Sequence, residues 1–304
     1  LARTVLIVLI GRKETGQVDH FQLLQEQDAV AEAQRAKLGV EIVFASGFDH
    51  LRAIRKRLGD ASSPPIDAVV VEPASFASAG LILKELRGKA GLVLLNLWTP
   101  EVESFAAEWD KAHPFGTVST DHARIGTIQG RQVAAIMPKG GSVLCVTGPQ
   151  RSSAAVERLA AMKAELGPEV QVYDAESGQW TQSDAIVAFD SWYSLYKTRA
   201  LAIDVIAAQS DELAIGVRNA CRAVTNAAHR AMLLGARLLG VDGCPDFGRK
   251  LVDAGELGAT VVAPANTGEA IRSLRAFWET GRPLPLRAMT EPTPYPPTSV
   301  GGAG

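Results

Sequence analysis

The sequence predicts an α/β fold built as two similar doubly wound parallel-sheet lobes. Three observations lead there. Short apolar, β-branched runs alternate with longer amphipathic stretches along nearly the whole chain. The runs are more numerous than one compact sheet usually holds. The alternation also breaks near residues 119–121 and then starts again.

The runs lie at 5–10, 40–45, 68–71 and 92–95, and after the break at 143–147, 170–173, 203–207, 238–241 and 260–262. Runs this short and continuously apolar are buried on both faces, as parallel strands covered by helices are. Helical stretches are expected between them at 21–37, 49–58, 78–86, 125–137, 153–166, 212–223 and 247–254. Alternating β and α elements imply parallel sheets. Pro292, Pro294, Pro296 and Pro297 exclude a regular helix near the end, so 290–304 reads as an extended strap running into a loose tail.

The 304 residues suit two domains of ordinary size. Lys and Arg number 31 against 33 Asp and Glu, a net charge of −2. With no basic excess to neutralise phosphates, a nucleic-acid partner is not expected. The apolar run at 5–10 is shorter than the about 20 residues of a spanning helix or the about 7–15 of a signal-peptide core. Cys145, Cys221 and Cys244 are too far apart for a zinc or redox motif. Cys145 reads as core, and spacing alone leaves open whether Cys221 and Cys244 pair.

Gly11 and Gly16 have the spacing of a phosphate-binding loop, but Gln17 and Val18 stand where Lys and Ser or Thr must reach phosphate and magnesium. No dinucleotide fingerprint follows the first strand. His20, His50, His113, His122 and His229 form no pair at helical spacing. No metal, cofactor or catalytic constellation is therefore expected, and the chain does not read as an enzyme.

Ligands of open α/β sheets bind beyond the carboxyl ends of the strands. The residues there include Asp19, His20 and Phe21, then Asn96, Leu97 and Trp98, then Gln150, Arg151, Ser152 and Ser153, then Trp180, Ser210, Asp211 and Asp242. Hydrogen-bonding side chains interleaved with tryptophans suit a sugar, whose hydroxyls pair with Asp and Asn while its C–H face stacks on a ring. Each residue also has a plain structural reading. Asp242 before Gly243 makes a turn dipeptide, Ser210 before Asp211 a helix N-cap, and Trp98 and Trp180 can cover a lobe. Trp192, Tyr193 and Tyr196 read as an aromatic packing cluster.

Five stretches then carry a resemblance. Asp-His-Ala-Arg-Ile-Gly at 121–126 looks like a stretch entering a second lobe, and Ser-Ala-Ala-Val-Glu-Arg at 153–158 is similar to a Ser-Ala-Ala-Arg-Glu-Arg helix start. Ser-Asp-Glu-Leu-Ala-Ile-Gly at 210–216 resembles Asn-Asp-x-x-Ala-x-Gly, and Gly-Val-Asp-Gly-Cys-Pro at 240–245 resembles Gly-Phe-Asp-Gly-x-Pro. Residues 253–260 are close to a Gly-x-Leu-x-Ala-Thr segment. In this order they resemble the type 1 periplasmic sugar-binding proteins, of the ribose-binding kind.

The resemblance implies that Asp242 accepts sugar hydroxyls and that Trp180 stacks on the ligand. It puts Asn96 where the family uses Asp, Leu97 and Val156 where it uses Arg, Ser210 where it uses Asn, and Ala263 where it uses Gln. Arg151, one turn before Val156, would supply the missing cation. A pocket so changed points away from ribose itself, to a larger or less polar sugar or to a ligand that is not a sugar. The resemblance further implies an N-lobe of 1–120 completed by 264–285, a C-lobe of 121–263 completed by 286–297, a tail at 298–304, and a hinge of three crossovers. It implies closure of the lobes on the ligand, a periplasmic location with the signal peptide removed, and docking on the membrane permease of an ABC transporter. A monomer is expected. The same fold would serve as the effector-sensing core of a LacI-type regulator, or as the ligand-sensing partner of a sensor kinase or chemoreceptor.

Overall fold

A computed structural model describes residues 3–13, 18–46, 49–73, 75–198 and 202–297. The chain divides into two compact units, 1–120 with 265–290 and 121–264 with 291–304, so it passes from one to the other three times. The first unit begins with β1 (Thr4–Ile10), α1 (His20–Ala36), β2 (Gly39–Ala45), α2 (His50–Leu58), β3 (Ala68–Val71), α3 (Phe76–Leu86), β4 (Gly91–Leu95), α4 (Pro100–Glu108) and β5 (Phe115–Thr120). The second holds α5 (His122–Ile136), β6 (Gly141–Thr147), α6 (Ser153–Ala164), β7 (Val170–Glu176), α7 (Gln182–Tyr196), β8 (Val205–Ala208), α8 (Asp211–Ala223), α9 (Ala227–Gly235), β9 (Arg237–Asp242), α10 (Gly248–Asp253) and β10 (Ala259–Val262). The chain then returns α11 (Thr267–Thr280) and β11 (Ala288–Thr290) to the first unit and ends in the second with β12 (Thr293–Tyr295).

The first sheet has the order β11-β5-β4-β3-β1-β2, all parallel. The second has the order β12-β10-β9-β8-β6-β7, parallel except for antiparallel β12. Side-chain alternation divides each sheet between two cores. Leu6 and Val8 face Ile54, Ile82 and Val102, whereas Val5, Ile7 and Leu9 face Ala29, Ile271 and Leu274. In the second unit Leu144 and Val146 pack with Phe189 and Val217, and Val143 and Cys145 with Val133 and Met162. Covering on both faces is what makes the strands continuously apolar.

The elements that went unread in the sequence include α4, β5, α7 and α9. Residues 115–120 are wholly buried but spell Phe-Gly-Thr-Val-Ser-Thr, with polar groups where an apolar run was sought. The extended strap is more than a surface cover, because β11 adds to β5 and β12 pairs with β10. The expectation that 286–297 completes the second lobe is corrected: Ala288–Thr290 belongs to the first sheet, and the last crossing falls after Thr290. The tail at 298–304, like Gln17, lies outside the described residues. The cysteines form no disulfide; all three are buried thiols, and burial pushes those of Cys145 and Cys221 up. The aromatic cluster on α7 is present: Trp192, Tyr193 and Tyr196 pack with Phe189 and Tyr173.

Two contacts fix the framework near the strand ends. In the first unit, side chains of α1 cap α11 from about 240 positions away: Gln25 Oε1 accepts from the N–H groups of Asn266 (2.7 Å) and Thr267 (3.1 Å), and Asp28 Oδ2 from that of Gly268 (2.6 Å). These are the otherwise unsatisfied donors of a helix start. In the second unit, α5 meets α6 so closely that a Cβ at Gly126 would collide with the Arg158 carbonyl and stand 2.8 Å from the Ala161 methyl. Gly126→Ala is expected to cost roughly 1–3 kcal/mol of stability by overpacking, measured as a fall in the urea midpoint with an unchanged slope.

His50 gives a pH expectation. It is 1% exposed, its Nε2 donates to the Ala45 carbonyl at 3.1 Å, and its Nδ1 has no hydrogen-bond partner among the described residues. Burial lowers its pKa below the ordinary 6.5, with the Ala45 carbonyl and Asp49 opposing. The unfolded chain then binds the proton more readily than the folded one. Stability contributed by neutral His50 is intact above about pH 6.5 and is lost as pH falls below it, by at most about 1.4 kcal/mol per pH unit. His50→Gln should flatten the stability profile between about pH 6.5 and 5 relative to the parent, as followed by urea titration at each pH.

Candidate functional site

In each unit the strand order reverses once, between β1 and β3 in the first and between β6 and β8 in the second. The crevice beyond the carboxyl ends of the strands at such a point is where open α/β sheets take ligands. Polar side chains gather at both.

In the second unit the centre of the set is Arg158 on α6, only 7% exposed. Its Nη1 donates to the Gln209 carbonyl at 2.6 Å, its Nε to His122 Nδ1 at 3.4 Å, and its guanidinium lies 5.4 Å from the centre of the Trp180 ring. Asp242 Oδ1 stands 4.0 Å from Nη1. Trp180 lies over the end of β6 at Gly148, where even a methyl group would collide with its ring. The Gln209 side chain ties the floor together, accepting from the Gly148 N–H (3.0 Å) and donating to the Ala155 carbonyl (3.0 Å).

Asp242 ends β9 with φ at 101°, a region an L side chain rarely adopts. The turn is held by Asp211, 1% exposed, whose Oδ2 accepts from the Gly243 N–H at 2.8 Å and whose Oδ1 accepts from Thr260 Oγ1 at 2.7 Å. Such strain persists where surrounding bonds over-determine it.

In the first unit the set is built on Asn96, which follows β4 with φ at 50°, the left-handed region that Asn tolerates. Its Nδ2 donates to Glu72 Oε1 at 3.2 Å, and its Oδ1 accepts from Asn266 Nδ2 at 2.7 Å and from the Thr120 N–H at 3.4 Å. Glu72 follows β3, and its Oε2 accepts from Gln22 Nε2 on α1 at 2.9 Å. Asn266, fully buried, also accepts from Thr290 Oγ1 at 2.8 Å.

The sequence-derived candidates divide accordingly. Asp242 and Trp180 converge on Arg158, and Asn96 joins the first unit's network. Phe21 is half-buried at the start of α1. Trp98 packs against the first unit's core with the Arg287 guanidinium 5.1 Å from its ring centre, which fits a covering role. Ser210 is the N-cap of α8, its hydroxyl accepting from the Leu213 N–H at 3.1 Å. Arg151, in the loop before α6, is exposed and donates to the Gly178 carbonyl at 3.0 Å, whereas Arg158 is carried on the buried face of that helix. Val156, taken as the site of a lost arginine, is 52% exposed.

Sequence reasoning thus missed Arg158 and Glu72. Both left a signal. The buried residues of α6 are Ala154, Ala155, Arg158 and Met162, a helical stripe that includes Arg158 and leaves Val156 out. Glu72 follows directly on the run Ala-Val-Val-Val.

The two aspartates of the β9 turn are separable by experiment. Asp211→Ala leaves the buried Gly243 N–H and Thr260 hydroxyl without their acceptor and is expected to cost about 1–3 kcal/mol in urea unfolding, or more for the lost charge. An unchanged midpoint would contradict a supporting role for Asp211.

Among the described residues no helix is long and apolar enough to cross a membrane, and no cluster of three or more His, Cys, Asp or Glu is placed to hold a metal ion. No curated protein matches the chain. Solved structures do. A periplasmic solute-binding protein of an ABC transporter from Actinobacillus succinogenes, with bound D-allose, is 16% identical with a TM-score of 0.76, each chain covered to 96%. The Caulobacter myo-inositol binding protein bound to myo-inositol is 17% identical with a TM-score of 0.76, covering 97% of this chain and 94% of its own. A periplasmic ribose ABC transporter protein from Conexibacter woesei is 20% identical with a TM-score of 0.70, covering 96% and 91%. These likenesses extend to the fold, and the proteins they name are binding proteins rather than enzymes. The model of the periplasmic binding protein domain matches residues 19–270, and the chain belongs to that family, with its type 1 fold.

Proposed function

We propose that the chain is the solute-binding protein of an ABC importer and takes a small, polar, sugar-like ligand at the strand ends. The observation that carries this reading is the set of Arg158, Asp242 and Trp180: a buried guanidinium and a strained carboxylate 4.0 Å apart beside an aromatic ring. A guanidinium donates in a fixed fork, a carboxylate accepts, and a ring offers an apolar face, which together match a molecule with hydroxyls on its edge and C–H groups on its face. The preset geometry means that little ordering remains to be done when ligand binds.

A binding protein of this kind works in the periplasm as a monomer, and its liganded state is the one a membrane permease recognises. The familial relation and the D-allose, myo-inositol and ribose proteins of the same fold support this reading. The reading assigns no chemical step to the chain.

A thermal-shift screen of monosaccharides, polyols, nucleosides and amino acids tests it. A ligand at 100 times its dissociation constant adds about 2.7 kcal/mol to stability. A monosaccharide or polyol should stabilise the parent, and Asp242→Ala and Arg158→Met should each weaken that ligand by at least about tenfold, as expected for losing a hydrogen bond to a charged group. A shift with nucleosides or amino acids alone overturns the sugar-like assignment.

A further inference from the structure

We infer that Glu72 is the carboxylate with which the first unit reads the ligand, and that it has taken over this role from the position of Asn96. The inference rests on the reading of the chain as a sugar-like solute binder.

Glu72 leaves β3 at the point where the order of the first sheet reverses, beside β1. Its neighbours there present amide groups: Gln22 Nε2 donates to one carboxylate oxygen at 2.9 Å and Asn96 Nδ2 to the other at 3.2 Å. A carboxylate oxygen accepts along defined lone-pair directions, so two amide donors, one on each oxygen, orient the group. Both donors are themselves fixed. Gln22 Oε1 accepts from the Ile10 N–H at 3.1 Å, and Asn96 Oδ1 is held by Asn266, which is fully buried. Locking both amide oxygens as acceptors forces both amide nitrogens to donate toward position 72, which only an acceptor can satisfy at both oxygens. The carboxylate is therefore pre-set in one orientation, half-buried, at the strand end where ligands are taken.

The same geometry makes positions 72 and 96 one unit. The sequence resemblance places an aspartate at 96, where this chain has Asn. With Glu at 72, an aspartate at 96 would bring two carboxylates to about the 3.2 Å that now separates the Asn96 nitrogen from Glu72 Oε1, and like charges so close cannot both stay ionised at little cost. An amide at 96 is the residue that Glu72 requires. The first unit keeps its acidic group but carries it one strand over, on a side chain one methylene longer. Neighbouring strands lie about 4.8 Å apart, close to the spacing between hydroxyls on opposite sides of a sugar ring, so the hydroxyl it accepts from differs from the one an aspartate at 96 would reach.

Isothermal titration of D-allose, D-ribose, L-arabinose, D-galactose and myo-inositol into the parent, Glu72→Gln, Asn96→Asp and the double variant Glu72→Gln/Asn96→Asp tests the inference, with melting temperature recorded for each. Asn96→Asp should melt below the parent, and the double variant should recover most of that loss. Glu72→Gln should weaken the parent's best ligand at least tenfold, and the double variant should change the rank order of the panel. If Glu72→Gln and the double variant bind the panel with the parent's affinities and order, Glu72 only supports the fold and the inference falls while the sugar-like reading stands. If the parent binds no member of the panel, while Asp242→Ala behaves identically, the reading and the inference fall together. Should Glu72→Gln fail to fold, the rank order of the folded double variant decides.

Discussion

The first unit depends on one interaction that is nearly invisible in sequence: two side chains of α1 satisfy the opening N–H groups of α11, about 240 residues further on. A helix that starts deep in a protein must give its first donors to something. Gln25 and Asp28 do so, and in doing so they fix where the chain re-enters the first sheet. The consequence reaches the strand ends. Asn266, the N-cap residue of α11, is buried against Asn96, Thr120 and Thr290, so its position sets the rotamer of Asn96 and thereby the orientation of Glu72. Gln22, one turn before Gln25 on α1, closes the circuit on the other carboxylate oxygen. One helix thus both anchors the returning chain and orients the acidic group.

The second unit solves the same problem with charge. Arg158 is nearly buried, and a guanidinium taken out of water needs acceptors and an opposite charge nearby. The Gln209 carbonyl and Asp242 provide them, while close contact of α5 with α6 at the Arg158 carbonyl fixes the backbone that carries it. Asp211 has a supporting place beside this pair. It spends both oxygens on the Gly243 N–H and the Thr260 hydroxyl, which holds the turn that forces Asp242 into positive φ. Two aspartates, each near a strand end, therefore divide the work of support and of presentation.

Most of the fold was legible because parallel strands buried on both faces must be continuously apolar, and seven helices follow from amphipathic spacing between them. What escaped were elements whose chemistry obscures the pattern. β5 hides its burial behind Gly, Ser and Thr, and α7 carries its core contact in aromatic residues that read as a cluster rather than as a helix. The candidate site was legible where a single residue follows a single strand, as Asp242, Asn96 and Trp180 do. It was illegible where position depends on helical phase. Val156 occupies the aligned place of an arginine, yet two residues further on the helix turns by about 200°, and it is Arg158 that faces inward.

Phase also explains why a changed motif need not mean a lost contact. Counting substitutions against the family pattern suggests a site stripped of charge, with Val, Leu, Asn and Ala at polar positions. In the folded chain the guanidinium at the second unit's strand ends is Arg158, which falls on the second arginine of the Ser-Ala-Ala-Arg-Glu-Arg pattern, and the carboxylate at the first's lies one strand over from the aspartate that the pattern names. Shifting a charged group to an adjacent strand preserves the type of bond while moving its origin by several ångströms. Coupled pairs such as Glu72 with Asn96 make such shifts discrete, because either member alone creates a clash of like charge or an unsatisfied amide. On the proposed reading, changes of this kind would alter which hydroxyls are bonded while keeping hydroxyls as the partners. The fold can therefore keep its framework of buried strands and capped helices intact while its ligand changes.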